Sequence, residues 1–253
     1  MQIAPPFGYS EVVPFLKTHK VRLPAAGELP PFVRQSNAVP LSFTEFQPAA
    51  REYPIVFARG DGGKNVAAVA VLGMGAAENL FIRAGAWEPG VYVPAYVRRY
   101  PFCMARVQLD RAPEANRVIC IERAHIDDAG GELAFDASGK PVGRWADMER
   151  LLSEYEADLE RTREMCGILA DYGLLEAFTM QANLAKDKGG GSLHLTGMQR
   201  VSEKNLENLN AAQLKNLVRK GILARIYLHL LSLENFNRLL ERKAALGASG
   251  NAG

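Results

Sequence analysis

A chain of 253 residues with 48% hydrophobic and 23% charged side chains can stand on its apolar core, with no metal or disulfide needed to staple it. Thirty basic residues against 28 acidic ones leave a formal charge of +2, which excludes the globally basic surface expected of a nucleic-acid binder. The three cysteines, Cys103, Cys120 and Cys166, make no C-x-x-C pair, which argues against a disulfide framework or zinc site and for buried thiols in a reducing, cytoplasmic setting.

Residues 1–37 come first. Met1–Pro6 lacks a basic segment followed by an apolar run, so no signal peptide is expected. Nine of the fourteen prolines fall within the first 54 residues, and proline fixes φ and removes a backbone donor, so regular helix is disfavoured. The apolar residues Phe7, Tyr9, Val12, Val13, Phe15, Leu16, Val21 and Leu23 suit an extended arm packed across the folded body; a disordered tail is the alternative.

Residues 38–143 are expected to form a β-rich half. Ser42-Phe43-Thr44-Glu45 has the capping-box pattern, and a short helix through Tyr53 follows, strained by Pro48 and stopped by Pro54. Ile55–Ala58 and Val66–Leu72 are predicted strands, and the Asp61-Gly62-Gly63 punctuation between them supplies a hairpin turn. Further strands are predicted at Leu80–Arg83, Tyr96–Arg99, Met104–Leu109 and Val118–Ile121, giving a curved antiparallel sheet or partial barrel. A hairpin-like element is expected at Leu133–Asp136, closed by Ser138–Pro141.

Residues 144–246 are expected to be helix-rich, dividing from the first half near residue 143. Met148, Leu151, Leu152, Tyr155, Leu159, Met165, Ile168 and Leu169 recur at helical spacing, predicting one long amphipathic helix to about Tyr172. Gly173 caps or kinks it, and a shorter helix is expected over Leu174–Ala185. The glycines at 189–191 mark a loop, and Leu193–Met198 alternates as a strand does. Helices start at Ser202 and Asn210, the second ending at Gly221. Ile222–Leu230 is ambiguous, its β-branched residues favouring strand. Leu233–Leu246 closes the fold as a helix, and 247–253 form a frayed tail. The fold class is therefore α+β, with no stretch near the roughly 18 apolar residues that cross a membrane as a helix.

The segment Tyr92-Val93-Pro94-Ala95-Tyr96-Val97-Arg98-Arg99-Tyr100-Pro101-Phe102 resembles the signature of the SapC family. So, in order, do Val13-Pro14 with His19, Tyr53-Pro54-Ile55-Val56-Phe57, Leu72-Gly73, Glu78-Asn79-Leu80-Phe81, Leu195-Thr196-Gly197 and Ile226–Leu233. The resemblance implies a bacterial source and an accessory role in surface-layer protein production or secretion. Relatives near outer-membrane receptor, halogenase-like and cupin-like genes imply a nutrient or peptide-modification pathway instead. After Val201 the family usually carries an acid where this chain has Ser202.

The candidate ligand-binding residues are Glu45, Asn79, Trp87, Tyr96, Arg98, Arg99, Tyr100 and His229. On a strand Arg98 and Arg99 point to opposite faces, one towards an anion or buried carboxylate that its planar fork can grip. The plain alternative is an Arg–Glu pair and aromatic packing. Glu45 is explained by capping, and Glu78-Asn79 by a turn. His125-Ile126-Asp127 has the spacing of two ligands of a metal site, but Asp127-Asp128-Ala129-Gly130-Gly131 reads as a turn. His194 and His229 suit structural roles, facing each other if they lie on neighbouring strands. The glycines at 60–63 and 189–191 lack phosphate-loop spacing. No cofactor or metal is expected. The favoured reading is a non-enzymatic accessory or binding protein with an unidentified protein partner. Its rival is a peptide- or small-molecule-modifying enzyme with its site near Arg98–Phe102, and a third reading is a homodimer through the long helix.

Overall fold

The computed structural model describes residues 3–60, 65–107, 116–184 and 191–250. In chain order the first elements are β1 (Val12–Pro14), β2 (Lys20–Val21), β3 (Ala38–Pro40), α1 (Phe46–Ala49), β4 (Ile55–Gly60) and β5 (Asn65–Val71). There follow β6 (Ile82–Arg83), β7 (Ala86–Trp87), α2 (Ala95–Arg98), β8 (Phe102–Val107), β9 (Asn116–Glu122) and β10 (Glu132–Leu133). The last are α3 (Arg144–Asp171), β11 (Leu175–Leu184), β12 (Gly191–Val201), α4 (Glu203–Glu207), α5 (Ala211–Arg219), α6 (Ile222–Ser232) and α7 (Asn235–Gly250). The fold is α+β. Its sheets are antiparallel and open, and among the described residues none closes into a barrel.

Two compact units gather these elements, each from two stretches of chain: residues 1–33 with 95–157, and residues 34–94 with 158–253.

In the first unit, β1, β9 and β8 form a three-stranded sheet in that order, and a two-stranded pair joins β10 to β2. Trp145, at the start of α3, packs against Phe102 and Phe15 with ring centroids 4.6 and 4.7 Å away. Val21, Ile121, Ala134 and Leu152 complete this core. Cys103 and Cys120 sit opposite each other on β8 and β9, both buried and free. Burial pushes the Cys103 thiol up to about 12, so these side chains act as small hydrophobes. Asp136 organises the expected turn after β10. Its carboxylate accepts from the amides of Ser138 and Lys140, and Phe135 bridges to Pro141.

In the second unit a five-stranded sheet runs β11-β12-β4-β5-β3. The predicted hairpin is β4 and β5, paired from Ile55↔Ala70 to Gly60↔Asn65; its turn, at 61–64, lies outside the described residues. Most of the loop expected over 185–192 also lies outside them. Ser42 precedes a short 3-10 helix, Phe43–Glu45, and Glu45 reaches back to accept from the Ser42 amide at 2.9 Å. The α-helix after it ends at Ala49, short of the expected Tyr53.

Four expectations are corrected. Tyr96–Arg99 is not a strand: α2 is one helical turn, and the Arg99 amide returns to the Ala95 carbonyl at 2.9 Å instead of joining a ladder. Only Ile82 and Arg83 of the predicted Leu80–Arg83 strand pair, in a two-residue ladder with β7. Leu174–Ala185 is not a helix: β11 pairs with β12 from Leu175↔Val201 to Leu184↔Gly191, so ladder pairing overrides the helix formers Leu, Glu and Ala. Phe178 and Met180 are half-buried while Thr179 and Gln181 are exposed, which is the period of a strand. Finally, Ile222–Leu230 is helical. Ile222, Ile226 and His229 are buried at spacings of four and three, and that period outweighs the β-branched residues. Two left-handed glycines set these boundaries: Gly173 (φ +63°) ends α3, and Gly221 (φ +69°) separates α5 from α6.

Candidate functional site

The eight predicted residues divide between the units. Tyr96, Arg98, Arg99 and Tyr100 lie in the first, and Glu45, Asn79, Trp87 and His229 in the second.

Those of the second unit are engaged in holding its own structure. Besides capping Ser42, Glu45 accepts from the Tyr92 hydroxyl at 2.9 Å. The Asn79 side chain accepts from the Phe81 amide at 3.0 Å, and Trp87 Nε1 donates to the Tyr53 hydroxyl at 3.3 Å. His229 lies on α6 while His194 lies on β12, so the two do not occupy neighbouring strands. The fully buried His229 ring joins two strands through both nitrogens. Pairing of β4 with β12 is confined to Phe57 and Ala58. Beyond that point Val201 N–H donates to His229 Nε2 at 3.0 Å. The Nδ1–H therefore faces the Ile55 carbonyl, at 2.7 Å. Ser232 completes the stitch by accepting from the Ile55 amide at 2.9 Å. Burial pulls the His229 pKa down to about 4, which keeps the ring neutral.

In the first unit the two neighbouring arginines do diverge, by helical rotation instead of strand alternation. Arg99 is 4% exposed. Its guanidinium lies 4.3 Å from the Tyr96 ring, 5.1 Å from Tyr155 and 5.7 Å from Tyr9, with the Glu156 carboxylate 3.7 Å away. Tyr9 and Tyr96 hydroxyls donate to the carbonyls of Phe102 (2.7 Å) and Phe7 (2.6 Å), and burial raises both phenol pKa values. This is a cation enclosed by aromatic faces and one buried acid, a packing device. Tyr100 stacks obliquely on Tyr9, with centroids 5.4 Å apart, and belongs to the same cluster.

Arg98 points the other way and is exposed. It borders a cleft of about 410 Å3 whose opposite wall is the outer face of α3: Arg144, Asp147, Met148, Leu151 and Glu154, with Arg150 beside them. The spacing 144, 147, 148, 151, 154 is a single helical stripe. Arg144 also borders a second cleft of about 150 Å3 with Arg22, Glu132 and the backbone of Gly130 and Gly131. Arg144 thus borders both. Its Nη2 donates to the Pro24 carbonyl at 2.6 Å, and Arg150 pairs with Asp147 at 3.0 Å. Four guanidinium groups, each able to form paired hydrogen bonds to a carboxylate or phosphate, line the two clefts with Met148, Leu151 and Leu23.

The weighed metal site is otherwise employed. His125 Nδ1 donates to the Arg22 carbonyl at 2.7 Å, and Asp127 accepts from the Gly130 amide at 2.9 Å. Among the described residues no three His, Cys, Asp or Glu side chains group as metal ligands.

The SapC family model matches residues 17–239. The chain belongs to the SapC family. No curated protein and no solved structure matches it. Every residue of both clefts in this SapC-family chain falls inside the matched span, as does His229. Arg98 is the one cleft residue that sequence reasoning selected. Arg144 carried a missed signal, since a cation opening a helix opposes the macrodipole. Arg22 carried none.

Proposed function

We propose that this SapC-family protein is a non-enzymatic binding protein that holds an anionic, extended ligand, a carboxylate-bearing peptide segment, along the two clefts that Arg144 borders. The observation that carries this reading is the convergence of Arg98, Arg144 and Arg150 on one cleft with Met148 and Leu151. The arginines match carboxylates, the thioether and leucine match an apolar side chain, and Arg144 also borders the second cleft. A volume of about 410 Å3 is within the usual range for small-ligand sites. The family supports an accessory role in a bacterial secretion, surface-assembly or uptake pathway, with a protein of that pathway as partner. A cytoplasmic location fits three buried cysteines that remain thiols. Among the described residues no helix is long and apolar enough to cross a membrane.

The test is calorimetric titration with a short acidic peptide bearing a free C-terminal carboxylate, beside its C-terminally amidated twin. The free acid should bind more tightly, and binding should weaken with added salt. Arg98→Ala should reduce affinity by about tenfold, the scale of one lost charge-assisted contact. Equal affinity for both peptides, or no binding to either, overturns the proposal. Chemical alteration of a bound peptide, seen by mass spectrometry, would favour the rival reading of a modifying enzyme at the same cleft.

A further inference from the structure

Helix α6 buries polar side chains beside Ile222 and Ile226 and leaves large apolar ones outside. Its two most polar uncharged positions, His229 and Ser232, are fully buried and spend their hydrogen bonds on the backbone of Ile55 and Val201. Its outward stripe is apolar: Tyr227 is 51% and Leu231 66% exposed, with Ala224 exposed and Leu228 half-buried. Neighbouring α5 adds Leu214 (41% exposed) and Val218 (57%) on one stripe. Eight large hydrophobic side chains are exposed among the described residues, and four of them lie on these two consecutive helices. Scattered exposure of such residues is ordinary, whereas concentration on one surface marks an interface.

The charges at the ends of the stripe point to its occupant. They flank α6: Arg219 and Lys220 precede the break at Gly221, and Glu234 lies in the turn after Ser232, all three exposed. Lys220 already pairs with Glu164 of its own chain. A surface that is basic at one end, acidic at the other and apolar between them complements itself when turned end for end, as a twofold interface requires.

We propose that the protein forms a twofold dimer in which α6 of one copy packs antiparallel on α6 of the other. Tyr227 and Leu231 lie at the centre, Leu214 and Val218 at the flank, and Arg219 of each copy meets Glu234 of its partner. The long helix, whose apolar residues Leu152, Tyr155, Met165 and Leu169 are buried within the chain, has no comparable stripe left to offer. This interface does not depend on the peptide clefts, which belong to the other compact unit.

Sedimentation velocity of the full chain across a concentration series tests the pairing. The wild type should sediment as a concentration-dependent dimer. Leu231→Asp should give a monomer with an unchanged circular dichroism spectrum. Arg219→Glu alone sets acid against acid, and Glu234→Arg alone sets base against base. Each should weaken association by about tenfold or more, the scale of a like-charge clash at an interface. The double charge reversal should recover most of that loss. A wild type that stays monomeric at roughly millimolar concentration, a level that still detects weak association, overturns the proposal. So does a dimer indifferent to Leu231→Asp, or one whose double reversal is no tighter than the single variants.

Discussion

Helices α3 and α6 weight the same two tasks, apolar burial and backbone repair, differently. The long helix buries Trp145, Leu152, Tyr155, Met165 and Leu169 and shows Glu154, Arg161, Arg163 and Glu164 to solvent. The short one turns His229 and Ser232 inward and Tyr227 and Leu231 outward. For α3, apolar burial dominates and gives the signature, although Glu156, Asp158 and Thr162 are buried beside it and Asp158 accepts from the Thr44 amide. For α6, the inward face divides between burying Ile222 and Ile226 and repairing backbone. Strands β4 and β12 pair only through Phe57 and Ala58, and an imidazole and a hydroxyl take up polar groups that the interrupted ladder leaves. Polarity alone therefore does not tell which face of a helix is inside. What decides is whether the neighbouring backbone needs partners.

The largest expected effect breaks that repair. His229→Ala leaves the Ile55 carbonyl and the Val201 amide unpaired in the interior and opens a hole beside the Phe57 ring, whose centroid lies 5.0 Å away. Urea denaturation should show a loss of about 3–5 kcal/mol. A loss below about 1 kcal/mol, the worth of one ordinary hydrogen bond, would mean that the strands close up without the ring.

Acidification should produce the next largest effect. Burial holds the His229 pKa at about 4 when folded, against 6.5 for the free side chain. Between those values the unfolded chain binds a proton that the folded chain refuses, so stability falls as pH falls from 6.5 towards 4. Above pH 6.5 this residue adds no slope. The slope should approach about 1.4 kcal/mol per pH unit and total about 3 kcal/mol. It should vanish in His229→Gln, and persistence of the slope in that variant would assign it to carboxylates elsewhere.

The smallest effect belongs to the outward face. Diluted to the monomer, Tyr227→Ala should change unfolding free energy by no more than about 0.5 kcal/mol. A larger loss would give this face a part in the fold of the single chain and remove the contrast with α3.

Much of this architecture was legible because sequence period and punctuation agreed. The β4–β5 hairpin was marked by apolar runs on either side of Asp61-Gly62-Gly63, and α3 by its apolar spacing and the glycine at 173. Legibility failed where local preference and tertiary pairing disagreed. Leu175–Leu184 is rich in helix formers yet lies against β12, whereas Ile222–Leu230 has Leu, Ala and Arg outnumbering Ile222, Ile226 and Tyr227, so there the two isoleucines were given too much weight. The divergence of Arg98 and Arg99 was foreseen, but through the wrong geometry. The other arginines of the cleft were not foreseen. Arg144 and Arg150 lie on a helix far along the chain, and nothing local in the sequence says that its outer stripe faces α2. Buried Glu156 likewise becomes intelligible only once Arg99 is seen to turn inward.

The three cysteines carry a practical consequence. All are buried and unpaired; burial lifts the thiols of Cys103 and Cys166 to about 12 and raises that of Cys120. The thiolate is the reactive form, so alkylating reagents at neutral pH should pass the native protein by. Cys103 and Cys120 lie in the first compact unit and Cys166 in the second. Mass-resolved labelling would therefore time the opening of each unit separately, with no engineered probe.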